Sequence, residues 1–109
     1  MIEDITEDVF EEDIPEILSV RIMFDDRHMK GQTRDFDVKF QLLNSVTFDI
    51  EDNEKDLLSF LEPDVRLSKI QCFGSFYLFN AKGVISEKKI VTAGPKQGWY
   101  SIILTLLKP

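Results

Sequence analysis

Residues 35–51 read DFDVKFQLLNSVTFDIE, and the fold class is decided in this stretch. Phe36, Val38, Phe40 and Leu42 alternate with Asp35, Asp37, Lys39 and Gln41. Beyond Leu43-Asn44-Ser45, Val46, Phe48 and Ile50 alternate with Thr47, Asp49 and Glu51. Successive side chains of a strand point to opposite faces, so a period of two with one apolar phase describes a strand with a dry and a wet side. Asn and Ser supply turn chemistry between the two runs, which predicts a hairpin.

Upstream, Leu18, Val20, Ile22 and Phe24 alternate with Ser19, Arg21, Met23 and Asp25, giving a further strand. Downstream the period changes at Asp52. Leu57, Leu58 and Leu61 have helical spacing within residues 53–62, with Asn53 at the N-cap and Pro63 as the stop. One short helix covering an open end or face of the sheet is expected.

Residues 67–80 carry Ile70, Cys72, Phe76 and Leu78 on one parity and Phe73, Tyr77 and Phe79 on the other. Apolar residues on both faces predict a central, doubly covered strand with a bulge at Gly74. A turn at 80–83, a strand over 84–92, a loop at 93–98 and a final strand over 99–107 complete the reading. The last strand is apolar on both faces, which predicts an internal position, since such an edge would invite aggregation. The whole is a mainly β domain of about six mostly antiparallel strands, forming a curved sheet, small sandwich or partly open barrel.

Charge divides the chain. Among 109 residues, 20 acids outweigh 13 bases for a net of −7. Eight of the acids lie in residues 1–16, which contain no base, leaving a net of +1 over 17–109. An acidic arm on a nearly neutral body is repelled by DNA and anionic lipid and attracted to basic protein surfaces. Ile2, Ile5 and Val9 at i, i+3 and i+7 give the arm an amphipathic phase, too short for a helix to stand alone. No apolar run approaches the roughly 20 residues of a membrane helix. The acidic start is unlike a secretory signal, and the lone Cys72 forms no disulfide within the chain, so a cytoplasmic protein is expected.

Catalytic and metal chemistry find little support. His28 is the lone histidine, short of a metal-ligand set, and no cofactor is implied. The run from Asp49 has Glu54 where a calcium loop needs glycine and Phe60 where it needs a bidentate Glu. Cys72 sits in an apolar strand, where a thiol is inert. Asp35 and Asp37, with Asp49 and Glu51, form an acidic patch if their strands pair, but on wet faces all four simply ionise.

Elimination points to a non-catalytic protein that binds a basic protein partner: an inhibitor or immunity-type protein against a toxin nuclease or another nucleic-acid enzyme. Its binding residues are Glu3, Asp4, Glu7, Asp8, Glu11, Glu12 and Asp13 of the arm, with Asp25, Asp26, Asp35, Asp37, Asp49 and Glu51. Nucleic acid itself is not expected as a partner. Two alternatives stay open. One is a single-stranded nucleic-acid-binding barrel with an autoinhibitory acidic arm, using Phe73, Tyr77, Phe79 and Trp99 as stacking platforms with Lys82, Lys88, Lys89 and Lys96 as a basic fringe. The other is an assembly module that self-associates through the C-terminal strand.

Overall fold

The computed structural model describes residues 14–25 and 29–109. Their regular elements are β1 (Ser19–Met23), β2 (Thr33–Asp37), β3 (Phe40–Leu42), β4 (Ser45–Ile50), α1 (Lys55–Phe60), β5 (Arg66–Phe73), β6 (Leu78–Ile90) and β7 (Tyr100–Leu107). A single 3-10 turn, Met29–Gly31, precedes β2. The strands form one sheet in the order β2-β1-β5-β6-β7-β4-β3, every neighbouring pair antiparallel. The result is the expected mainly β domain, a curved and half-open barrel with one short helix.

The apolar phases of the strands meet inside. Val20 and Ile22, Val46 and Phe48, Ile70 and Cys72, Ile85, and Ile102, Leu104 and Leu106 are all buried. Leu57, Leu58 and Leu61, from the α1 region, join the same cluster. Each fully buried aliphatic side chain contributes about 1.5–3 kcal/mol, so the packed interior, and not the six-residue helix itself, holds α1 in place. β7 lies between β6 and β4, the internal position its sequence calls for, and it offers no free edge for self-association.

The alternation over 36–42 continues as one strand in sequence but not in space. The chain bends at Val38 and Lys39, whose N–H groups donate to Leu18 O and Thr47 O respectively. Thus β2 pairs with β1 while β3, two residues later, pairs with β4 at the far side of the sheet. The bend shifts the phase. Gln41, not Phe40 or Leu42, stands opposite the buried Val46, and Phe40 and Leu42 are 59% and 63% exposed. Phe36 still reaches inward across the seam and stacks on Phe48 of β4, with ring centroids 4.5 Å apart.

Other differences also have local causes. Residues 67–80 are the end and start of two strands joined by a turn, in which Gly74 N–H donates to Tyr77 O. A side chain at 74 would place Cβ 2.1 Å from the Tyr77 ring, so this is a turn glycine and not a bulge. Residues 80–83 lie inside β6. At α1 the N-cap position is Glu54, not Asn53, and no side chain caps it.

Two bulges interrupt the ladders. In β5 the register shifts between Leu67 and Ile70, so both Ser68 and Lys69 face outward while Leu67 and Ile70 are buried. In β6 it shifts between Ile85 and Glu87, which brings Lys88 opposite the buried Ile102. Bulges re-aim side chains in this way and recur beside functional sites.

Candidate functional site

A cleft of about 270 Å³ opens where β1 ends and β5 begins. Met23, Phe24 and Asp25 form one side, Thr33 and Phe60 another, and Arg66, Leu67, Ser68 and Lys69 the third. The β5 bulge builds this third wall, because only the extra residue lets Ser68 and Lys69 both point outward after Arg66. Phe24 is nearly buried and meets the Phe60 ring edge-on at 5.5 Å.

Six of the described basic side chains are neutralised within the structure. Arg21, Arg34, Lys39, Lys88, Lys89 and Lys96 are each paired with a carboxylate. Arg66 and Lys69 are exposed, and among the described residues neither has a carboxylate partner. Two uncompensated cations beside an aromatic wall and two hydroxyls suit an anion with a flat apolar part, which is the chemistry of a nucleotide. Sequence reasoning missed Arg66, Ser68 and Lys69. The available signal was RLSKI at 66–70, where two adjacent polar residues interrupt the alternation between Leu67 and Ile70.

Among the described residues the acidic set does not assemble. Glu3, Asp4, Glu7, Asp8, Glu11, Glu12, Asp13 and Asp26 lie outside the described residues, as does His28. Asp35 and Asp37 belong to β2 and Asp49 to β4, and these strands do not pair. Asp35 binds Arg21 through two hydrogen bonds of 2.7 and 3.2 Å, which hold its carboxyl below the ordinary range and raise the guanidinium. The Asp49 side chain is only 5% exposed, between Lys39 at 2.8 Å and Lys96 at 3.5 Å. Asp37 and Glu51 are exposed, and Asp25 lies at the cleft. The described acids are thus spread over separate strands, and Asp35 and Asp49 are already paired with bases.

The nucleic-acid fringe is also broken up. Lys88 turns inward, and Lys96 stacks on Trp99 at 5.1 Å while reaching Asp49. Cys72 is fully buried, and burial pushes its thiol up to about 12. Among the described residues no group of His, Cys, Asp and Glu could hold a metal ion. No helix of the described residues is long and apolar enough to cross a membrane.

No family model and no curated protein matches the sequence. Two solved structures share the fold. MrkH of K. pneumonia in its apo state matches with a TM-score of 0.63 at 15% identity, over 89% of this chain and 41% of its own. MrkH in complex with c-di-GMP matches with a TM-score of 0.61 at 17% identity, over 92% and 42%. The chain therefore spans about two fifths of the length of the proteins it resembles.

These matches correct the functional expectation. The fold leads to a protein solved with a small cyclic dinucleotide, not to an inhibitor, immunity or antitoxin-like protein, and the basic protein partner falls with that reading. The exclusion of nucleic acid as a partner is withdrawn as well. What the chain shares with MrkH at this identity is the architecture, a half-open antiparallel barrel carrying one short helix.

Proposed function

We propose that this chain is a non-catalytic, PilZ-type domain that binds c-di-GMP in the cleft at the start of β5. The observation that carries the proposal is the pairing of two uncompensated cations, Arg66 and Lys69, with the Phe24–Phe60 aromatic wall, on a fold whose solved complex holds that ligand. The Arg66 guanidinium takes a phosphate through paired N–H donors, and Lys69 adds a mobile point charge. A purine lies against Phe60, and Ser68 and Thr33 hydroxyls meet the ribose or phosphate. At about 270 Å³ the cleft takes one guanylate half of the dinucleotide, leaving the other half outside it.

In this reading ligand binding is the output of the domain, passed to whatever it works with. DNA is a downstream partner of the same proposal. A cytoplasmic address belongs to the proposal too, in keeping with a lone buried thiol.

The test is a calorimetric titration of the full chain with c-di-GMP, with GMP as a control, for the wild type, Arg66→Ala and Lys69→Ala. Loss of a hydrogen-bonded charge predicts weakening by about 10- to 100-fold for Arg66→Ala and less for Lys69→Ala. Absence of saturable binding by the wild type, or equal binding by Arg66→Ala, would overturn the assignment.

A further inference from the structure

We infer that Lys88 is a positioning residue of the cleft: it holds α1 so that Phe60 forms the cleft wall. This rests on the ligand-binding reading above and adds to it a residue that does not touch the cleft.

α1 is six residues long, below the length at which a helix is stable alone; its buried leucines hold it on the sheet, and what binds its ends fixes the last turn. Its last carbonyls lack partners within the helix. Leu61 N–H takes Leu57 O and Glu62 N–H takes Phe60 O. Leu58 O has the Lys88 ammonium, which donates to it at 2.6 Å. No base lies in the last turn of α1, so the cation that suits a helix C-terminus comes from another strand.

Lys88 reaches that carbonyl because of the β6 bulge. With unbroken alternation Ile85 and Glu87 would face inward and Lys88 outward. The extra residue inverts this order, so Lys88 stands opposite the buried Ile102 with its side chain only 15% exposed. The ammonium also donates to Glu62 Oε2 at 2.6 Å and sits 5.5 Å from the Tyr100 ring. At the other end, Arg34 Nη1 donates to Glu54 Oε2 at 2.8 Å. The helix is thus clasped by β2 at its start and β6 at its end, with Phe60 two residues beyond the carbonyl that Lys88 holds. A neutral side chain at 88 leaves that carbonyl unpaired and lets the last turn, and the Phe60 ring with it, change position.

The experiment compares Lys88→Met, Lys88→Arg and Phe60→Ala in the full chain. It reads c-di-GMP affinity by calorimetry and the Phe24 and Phe60 ring resonances by NMR without ligand. Lys88→Met should weaken binding about tenfold, Lys88→Arg should recover it to within about threefold, and Lys88→Met added to Phe60→Ala should cost little more than Phe60→Ala alone. Wild-type affinity in Lys88→Met, or effects of Lys88→Met and Phe60→Ala that multiply, would overturn the inference. If the wild type binds no c-di-GMP, the ligand reading fails and the resonances decide the positioning role. Ring shifts in Lys88→Met that Lys88→Arg restores support it, and unmoved rings overturn it. Should Lys88→Met not fold, Glu62→Ala at the exposed carboxylate removes one of the two holds on Lys88. Moved Phe60 resonances in that variant support the role, and unchanged ones refute it.

Discussion

Replacing Gly83 by alanine sets two effects against each other, and the structure says which wins. Gly83 lies inside β6 between Leu67 of β5 and Leu106 of β7. Its φ is not positive, so no special backbone conformation calls for glycine there. By propensity alone alanine should help, since it narrows the unfolded ensemble by about 0.4–1 kcal/mol. Space decides otherwise. A Cβ at 83 would lie 2.7 Å from Leu104 Cδ1, 2.8 Å from Ile70 Cδ1 and 3.1 Å from Thr105 O. Carbon atoms pack at about 3.5–4.0 Å, and both methyl groups belong to side chains in a close-packed interior with nowhere to retreat. Thr105 O is backbone of the neighbouring strand. Overpacking of this kind costs about 1–3 kcal/mol, leaving a net loss of about 1–2 kcal/mol after the entropic gain. For a domain of this length the Tm should fall by about 5–10 °C. A calorimetric melt measures this directly, with urea unfolding as a check that the m-value is unchanged. A Tm equal to or above wild type would refute the reasoning and show that Leu104 and Ile70 repack freely.

Acid should loosen the clasp on α1. Arg34 holds the Glu54 carboxyl below its ordinary value of 4.5, chiefly through their hydrogen bonds, so the stabilisation is present above that pH and lost as pH falls through the depressed value. With Glu54 41% exposed the loss is no more than about 1 kcal/mol, visible as a Tm that declines below pH 4.5 less steeply in Arg34→Met. Cys72 should resist a thiol reagent at pH 8 in the folded protein and react at once in denaturant, since burial holds the thiol at about 12; rapid reaction of the native protein would contradict that burial.

The sequence made much of the sheet legible because alternation survives wherever a strand keeps one partner on each side. β4 and β7 do so, and their inward residues Phe48, Ile102 and Leu104 are those the period selects. The period misleads where geometry changes between neighbouring residues. At Val38–Lys39 the chain exchanges β1 for β4, and Phe40 and Leu42 lose the interior although the pattern continues through them. At 74–77 a turn hides inside an apolar run, because the last residues of β5 and the first of β6 are both apolar. The cleft was less legible still. Arg66, Ser68 and Lys69 are unremarkable in composition and gain a common direction only from a one-residue shift against β6. The acids drew attention through their number, whereas partner strands and salt bridges decide whether charge is available, and Arg21, Lys39 and Lys96 had already claimed Asp35 and Asp49.

Both margins of the sheet belong to one run of ten residues, Thr33 to Leu42, folded at a single corner. Unpaired strand margins are where β proteins recruit other chains into intermolecular ladders. Here the two hazards are governed together. A change that straightened the corner would release β2 from β1 or β3 from β4, freeing hydrogen-bonding groups and setting the already exposed Phe40, Leu42 and Leu43 beside them. Colloidal stability of this domain is therefore concentrated in two peptide units, Val38 and Lys39, more than in any side chain of the core.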